Sequence, residues 1–175
     1  VTRYVALLRG INVGGHRKVR MADLRAMLDG LGYTGVATLL QSGNAVLTAP
    51  GTPPDAVGAA IGARIERDLG FPVNVLVRTA GDLRRVVDGL PFPVPDPAKC
   101  AVAFLPGPVD RDRWAAFDPA PYAPEEVAAG EREFYLSLPG GLGRAVLPRA
   151  MGPLLDGATV RNWSTTTRLL ALAEG

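Results

Sequence analysis

The chain has 175 residues, 47% hydrophobic and 21% charged, the composition of a globular protein with room for one large or two small domains. No apolar run approaches the roughly 18 residues that cross a bilayer, no signal-peptide pattern opens the sequence, and one cysteine with one histidine offers neither a disulfide framework nor a zinc site. A net charge of +2 is too small to imply a nucleic-acid partner by itself, and the cytoplasm is the expected location.

Along the chain, Tyr4, Ala6 and Leu8 alternate with Val5, Leu7 and Arg9. Both faces are apolar until Arg9, the pattern of a central strand covered on both sides. The segment from Arg9 to Arg20 holds two adjacent glycines and five basic residues counting His16, and the first acid in the chain is Asp23. "MADLRAMLDGLGY" then sets Met21, Leu24, Met27, Leu28 and Leu31 at helical spacing, with Gly32 as a stop signal. "GVATLLQSGNAVLTA" predicts two strands joined by a turn at Ser42-Gly43-Asn44. "PPDAVGAAIGARIERDLG" is a second helix with a proline-led start and a closing glycine. "FPVNVLVRT" is a fourth strand and "AGDLRRVVDGL" a third helix. The order β-α-β-β-α-β is the split βαβ, or ferredoxin-like, pattern.

"PFPVPDPAK" is a proline-rich break. After it come a strand at "CAVAFLPG", a helical stretch containing Trp114 and Phe117, a hairpin around Gly130, a short helix in "GRAVLPRAMGPLL", a brief strand at Val160 and a helix in "WSTTTRLLALA". "VALLRG" (5–10) and "VAFLPG" (102–107) agree at four of six positions, at an offset of 102 − 5 = 97. Matching element order and this echo together predict an α+β protein built by tandem duplication of a ferredoxin-like (α/β plait) unit. The expected organisation is a first subdomain with its linking helix over residues 1–90, a linker over 91–98, and a second subdomain over 99–175. Each such sheet carries helices on one face only. The apolar second face therefore needs a cover, from the other half or from a partner subunit.

Three stretches hold the candidate functional residues. The opening loop is not a P-loop, because Gly10 and Gly15 are followed by His16 and Arg17. Gly14 and Gly15 can still take positive φ and turn successive amides toward an anion, with Arg9, Asn12 and Lys18 beside them. The alternative is a plain turn with solvated cations. In "LLQSGN", Gln41, Ser42 and Asn44 reach the same sheet edge as Arg9 if the first and third strands are antiparallel neighbours. In "TVRNWSTTTRLL", Asn162 or Ser164 is the candidate N-cap. Arg161 and Thr165 would sit beside that helix start, a second possible anion site. Trp163 reads either as a core anchor or as a stacking platform. Catalytic signals are weak. His16 and Cys100 are single and unpaired in sequence, and Cys100 reads as a small buried residue. Ser42 lacks a nucleophile-elbow context. Glu125, Glu126, Glu131 and Glu133 read as solvated acids around a hairpin.

"YVALLRGINVGG", "MADLRAMLDGLGY", "TLLQSGNAVL" and "RNWSTTTRLL" resemble, in order and over nearly the whole chain, the bacterial family of domain of unknown function 1697. The resemblance implies tandem ferredoxin-like subdomains and carries no assigned activity. Two departures matter. The family's Lys-x-Lys after the glycines is "HRKVR" here, which keeps the basic character. Its hairpin aromatics are replaced by Leu40 and Leu47, which weakens any base-stacking role for that hairpin.

The resulting expectation is a binding module for an anionic or phosphorylated ligand such as a nucleotide, a phosphate ester or a nucleic-acid backbone. Its site would be Arg9, Asn12, Gly14, Gly15, Lys18, Gln41, Ser42 and Asn44, with Arg161, Asn162 and Thr165. No cofactor, metal or membrane partner is expected, an anionic small molecule or nucleotide is expected ahead of a nucleic acid, and the chain is a monomer or homodimer. The RNA-recognition aromatic pattern is absent, which argues against RNA binding through the sheet. An enzyme acting on a phosphorylated small molecule through the same pocket, and a purely structural role for the polar loops, are the alternatives.

Overall fold

The computed structural model describes residues 1–39 and 43–175. In chain order the first copy is β1 (Thr2–Leu8), α1 (Met21–Gly30), β2 (Thr34–Leu39), β3 (Asn44–Ala49), α2 (Pro54–Leu69), β4 (Val75–Thr79) and α3 (Ala80–Asp88). The second is β5 (Cys100–Phe104), α4 (Arg111–Ala116), β6 (Glu126–Ala129), β7 (Glu133–Ser137), α5 (Leu147–Met151), β8 (Thr159–Asn162) and α6 (Trp163–Glu174). The sheets have strand orders β2-β3-β1-β4 and β6-β7-β5-β8, and every pairing is antiparallel. Strand for strand these are the same topology. The protein is a tandem duplication of a ferredoxin-like α+β unit, and each copy runs from its last strand directly into one further helix.

The predicted helices form for the reasons their spacing gives. In α1, Leu24, Met27 and Leu28 share the buried face. Leu24 and Leu28 are fully buried, each contributing about 1.5–3 kcal/mol. In α2, Val57, Ile61 and Ile65 do the same. That helix starts behind Pro53 and Pro54 and ends on Gly70, left-handed at φ 82, as glycine permits. Both helices pack on the sheet face that carries Tyr4, Ala6, Leu8, Ala45, Leu47 and Val77. In the second copy, Ala101, Ala103, Phe134 and Leu136 form the corresponding face with Leu147, Met151 and Leu154. Trp114 and Phe134 meet there at 5.2 Å between ring centroids. Phe117 lies just past α4, in extended backbone, and stacks on Tyr122 at 6.0 Å.

The chain divides into two compact units, Val1–Arg84 with Arg168–Gly175, and Arg85–Thr167. In the first, the second sheet face holds Val5, Leu7 and Val46, all buried. There Arg3 donates to the Gly35 carbonyl and, at 3.4 Å, to the Leu172 carbonyl of α6, and Arg84 pairs with Glu174. In the second, the second face holds Val102, Phe104 and Tyr135, also buried. The Tyr135 hydroxyl donates to the Val86 carbonyl of α3 at 2.7 Å.

One of the glutamates expected to be solvated is not. Glu133 is buried, and its carboxylate accepts from the Glu131 and Arg132 amides of its own hairpin turn, the use that a buried acceptor requires. Glu125, half-buried, accepts from the Val146 and Leu147 amides at the start of α5.

Gly43 is the tightest turn position in the first unit. Its φ is +88, and a Cβ there would lie 2.8 Å from Leu8 Cβ and 2.9 Å from Ile11 Cδ1. Gly32 has almost the same φ, +87, with nothing within 4 Å. Both replacements carry the left-handed cost of about 1–2 kcal/mol, and only Gly43→Ala adds overpacking of about 1–3 kcal/mol. Urea denaturation is expected to show Gly43→Ala destabilised by about 2–5 kcal/mol and Gly32→Ala by about 1–2 kcal/mol. Equal losses at the two positions would contradict the packing described.

Candidate functional site

The register Leu7↔Asn44 brings the end of β1 and the start of β3 to one sheet edge, as the antiparallel topology requires. The Leu8 amide donates to the Gly43 carbonyl at 2.8 Å, and the Arg9 amide donates to the Asn74 carbonyl at 3.0 Å. The loop over residues 9–20 therefore leaves the sheet seated between the starts of β3 and β4. Asn44 is fully buried, and its side-chain amide donates to the Leu39 carbonyl across the hairpin. Gln41 and Ser42, the other two hairpin candidates, lie outside the described residues.

The loop has a frame of its own. Ile11 and Val19 are both buried at about 2% exposure or less and anchor its two ends in the core. Between them, the Asn12 side chain accepts from the Val19 amide at 2.8 Å and donates to the Val19 carbonyl at 2.9 Å. The Asn12 backbone amide donates to the Arg17 carbonyl at 3.1 Å. One asparagine thus copies both hydrogen bonds of a strand pairing. Its own φ of 56 is left-handed, a conformation asparagine tolerates better than most side chains.

Val13 and His16 form a small antiparallel bridge around Gly14 and Gly15, with φ of 58 and 78. Positive φ at both central residues is the requirement of the two-residue type I′ hairpin. The His16 amide donates back to the Val13 carbonyl at 3.0 Å. The double glycine makes a hairpin tip, and the alternating backbone of an anion-binding nest is not formed there.

Arg9, Gly10, Gly14, Gly15, His16, Arg17, Lys18 and Arg20 are all exposed. Arg20 pairs with Asp23 at 3.3 Å, and Arg17 makes a long contact, 3.5 Å, with the Pro72 carbonyl. No ion pair holds Arg9, Arg17 or Lys18 among the described residues. The helix that follows starts at Met21 with Arg20 as its N-cap and no side-chain cap hydrogen bond.

The third set of candidates belongs to the second unit. Arg161 donates to its own neighbour's carbonyl, Val160, at 3.0 Å, and burial pushes its pKa down to about 10. Asn162 is the N-cap of α6, accepting from the Thr165 amide at 2.8 Å. Thr166 and Thr167 return their hydroxyls to the carbonyls of Asn162 and Trp163, which is how a threonine run is accommodated in a first turn. Trp163 is half-buried.

Sequence reasoning passed over a second echo at this position. Arg78 is buried, donates to the Val77 carbonyl at 3.2 Å and sits opposite Val5. Arg161 sits opposite Val102. Each Val-Arg pair is followed by a capping residue that ends the strand. Thr79 bonds the Asp82 amide at the start of α3, and Asn162 caps α6. The repeated dipeptide is the signal that could have found it. Arg17 and Glu133 were also missed as positions that shape the loop and a hairpin, whereas Gly43 was read as a turn residue.

Catalytic groupings remain thin. Among the described residues no three His, Cys, Asp or Glu side chains cluster to hold a metal ion, and no helix is long and apolar enough to cross a membrane. Cys100 is buried, and burial pushes its thiol pKa up.

The family model for "Protein of unknown function (DUF1697)" matches residues 1–135. The chain belongs to the DUF1697 family. Among solved structures, this DUF1697 chain is similar to the conserved bacterial protein SP0830 from Streptococcus pneumoniae, with a TM-score of 0.77, 24% identity and 98% of each chain covered. That likeness shows the fold. No curated protein matches the sequence.

Two outcomes follow from these contacts. Asn12→Ala removes both bonds to Val19, and amide hydrogen exchange is expected to speed up over residues 12–19 while the β1 amides stay protected. Unchanged protection at Val19 would show that the clamp does not hold the loop. Cys100 is expected to react with a thiol reagent at neutral pH only slowly in native protein and rapidly in urea, since the thiolate is the reactive form. Immediate native labelling would contradict its burial.

Proposed function

We propose that this DUF1697 chain is a binding module for an anionic ligand, with the loop over residues 9–20 as its binding element. The observation that carries the reading is a division of labour inside the loop. Ile11, Asn12 and Val19 face inward and hold one another, while Arg9, Arg17 and Lys18 stand exposed on the frame so made. Fixing a loop's backbone lowers the entropy cost of binding through its side chains.

In this reading Arg9, Arg17 and Lys18 make the ligand contacts. Asn12, Gly14 and Gly15 set the shape, and Asn44 holds the neighbouring hairpin. Arg161, Asn162 and Thr165 serve the start of α6. Their polar groups engage backbone, which favours an architectural part for them over a ligand-binding one.

Thermal shift and equilibrium dialysis against inorganic phosphate, nucleotides and sugar phosphates test the reading. Ligand at a hundred times its Kd adds about 2.7 kcal/mol of stability, or roughly 5–10 °C in Tm for a chain of this length. The expected result is a shift in wild type that an Arg9→Ala/Lys18→Ala variant loses. Equal responses from the two proteins would sink the idea.

A further inference from the structure

We infer that the anion is a polymer: the loop engages the phosphate backbone of a nucleic acid, and the Val13–His16 hairpin is the part that reaches it. This rests on the anion-binding reading above and goes further by naming the partner.

The shape of the element is the first argument. A small phosphate ester is held by donors that converge in a concave site. Here Val13, Gly14, Gly15, His16, Arg17 and Lys18 are exposed in succession, the two basic side chains Arg17 and Lys18 following the Val13–His16 hairpin and Arg9 preceding it. A cavity in the same unit, about 270 Å³ between α1 and α2, is lined by Asp23, Asp68 and Arg64 with Ala26, Met27 and Leu69. Its two carboxylates give it the wrong sign for a phosphate. Exposed point charges distributed along one loop match a polyanion, whose own charges are spread along a line.

The tip is the second argument. Nothing lies within 4 Å of a Cβ built on Gly14 or Gly15. The two residues therefore present bare backbone with no side chain above it. Val13 beside them is 66% exposed. A tip without side chains, followed directly by exposed Arg17 and Lys18, can lie against a sugar–phosphate chain, and contacts made to phosphate alone are independent of sequence.

The second copy of the unit is an internal control. Between β1 and α1 the first copy has 12 residues, 9–20, whereas between β5 and α4 the second has six, 105–110. The shorter connection makes the same turn without a hairpin. The arginines beside it are turned onto backbone, Arg132 donating to the Pro106 carbonyl at 2.8 Å and Arg111 to the Gly130 carbonyl at 2.8 Å. The fold closes this corner with half the residues and with its cations occupied. The extra hairpin and its exposed cations serve something other than the fold.

The mode differs from that of an RNA-recognition motif. The second face of the first sheet holds buried Val5, Leu7 and Val46, where such a motif would show exposed aromatics.

Fluorescence anisotropy with labelled single-stranded DNA, single-stranded RNA and duplex DNA, titrated with the full chain, tests the inference. Three phosphate contacts, by Arg9, Arg17 and Lys18, give a slope of log K against log salt near −2.7 on duplex DNA, hence a roughly 40-fold loss of affinity between about 50 and 200 mM salt. Arg17→Ala and Lys18→Ala are each expected to reduce that slope by about one. Their urea midpoints should match wild type, because both side chains are exposed. Comparing the three nucleic acids identifies which backbone is preferred. Salt-independent retention, equal binding by wild type and the Arg9→Ala/Arg17→Ala/Lys18→Ala protein, or capture by phosphatidylserine vesicles without nucleic acid would overturn the proposal. If nucleotides shift Tm through Arg9 and Lys18 while no polymer binds, the anion reading stands and the polymer falls. If neither binds, both fall.

Discussion

The antiparallel pairing of β1 with β3 is the constraint on which the first unit depends. β1 lies between β3 and β4 and is buried on both faces over Tyr4–Leu8. A strand so placed has no freedom of register, because a slip by one residue would exchange its two apolar faces and misalign both neighbours. The register Leu7↔Asn44 then decides where the chain leaves the sheet. It puts Gly43 against Leu8 and Ile11 so closely that no side chain fits. It also delivers the 9–20 loop to the edge where the β2–β3 hairpin turns.

From that exit point the loop's form follows from satisfying backbone groups. A 12-residue excursion anchored by two buried residues needs hydrogen bonds for the amides and carbonyls it carries inward. Asn12 supplies a pair of them through one side chain, and the Val13–His16 hairpin closes on itself. With the polar requirements met inside the loop, its cations need not contribute to the frame and stand in solvent.

Duplication makes the two copies informative about each other. The strand orders, the Val-Arg pair before each trailing helix and the polar residue opening the third strand of each sheet recur. Asn44 and Glu133 each close their own hairpin, one as an amide donor and one as a carboxylate acceptor. The corner after the first strand differs, and there the first copy carries the hairpin and the charge. Features that recur belong to the architecture, and among those that do not, this corner is where function is sought.

Much of this was legible in the chain. Apolar periodicity located both sheets and the long helices, Gly32 and Gly70 marked helix ends, and the echo of "VALLRG" in "VAFLPG" announced the duplication. Those signals are local, and local spacing dictates which faces of a helix or strand are apolar. The convergence of Arg9 with the hairpin also followed, given the topology. Other features were choices among several partners, most of them near in sequence. That Asn12 would grip Val19, that Glu133 and Glu125 would bond backbone amides, that Asn162 rather than Ser164 would cap α6, and that the double glycine would form a hairpin tip all depended on tertiary packing. A polar side chain has several partners within reach of its sequence position, and only the assembled core fixes which one is left unsatisfied without it. The sequence by itself determined the elements, their order and the excess of positive charge before Asp23. Tertiary structure decided which polar groups turn inward to hold the loop and which cations remain exposed.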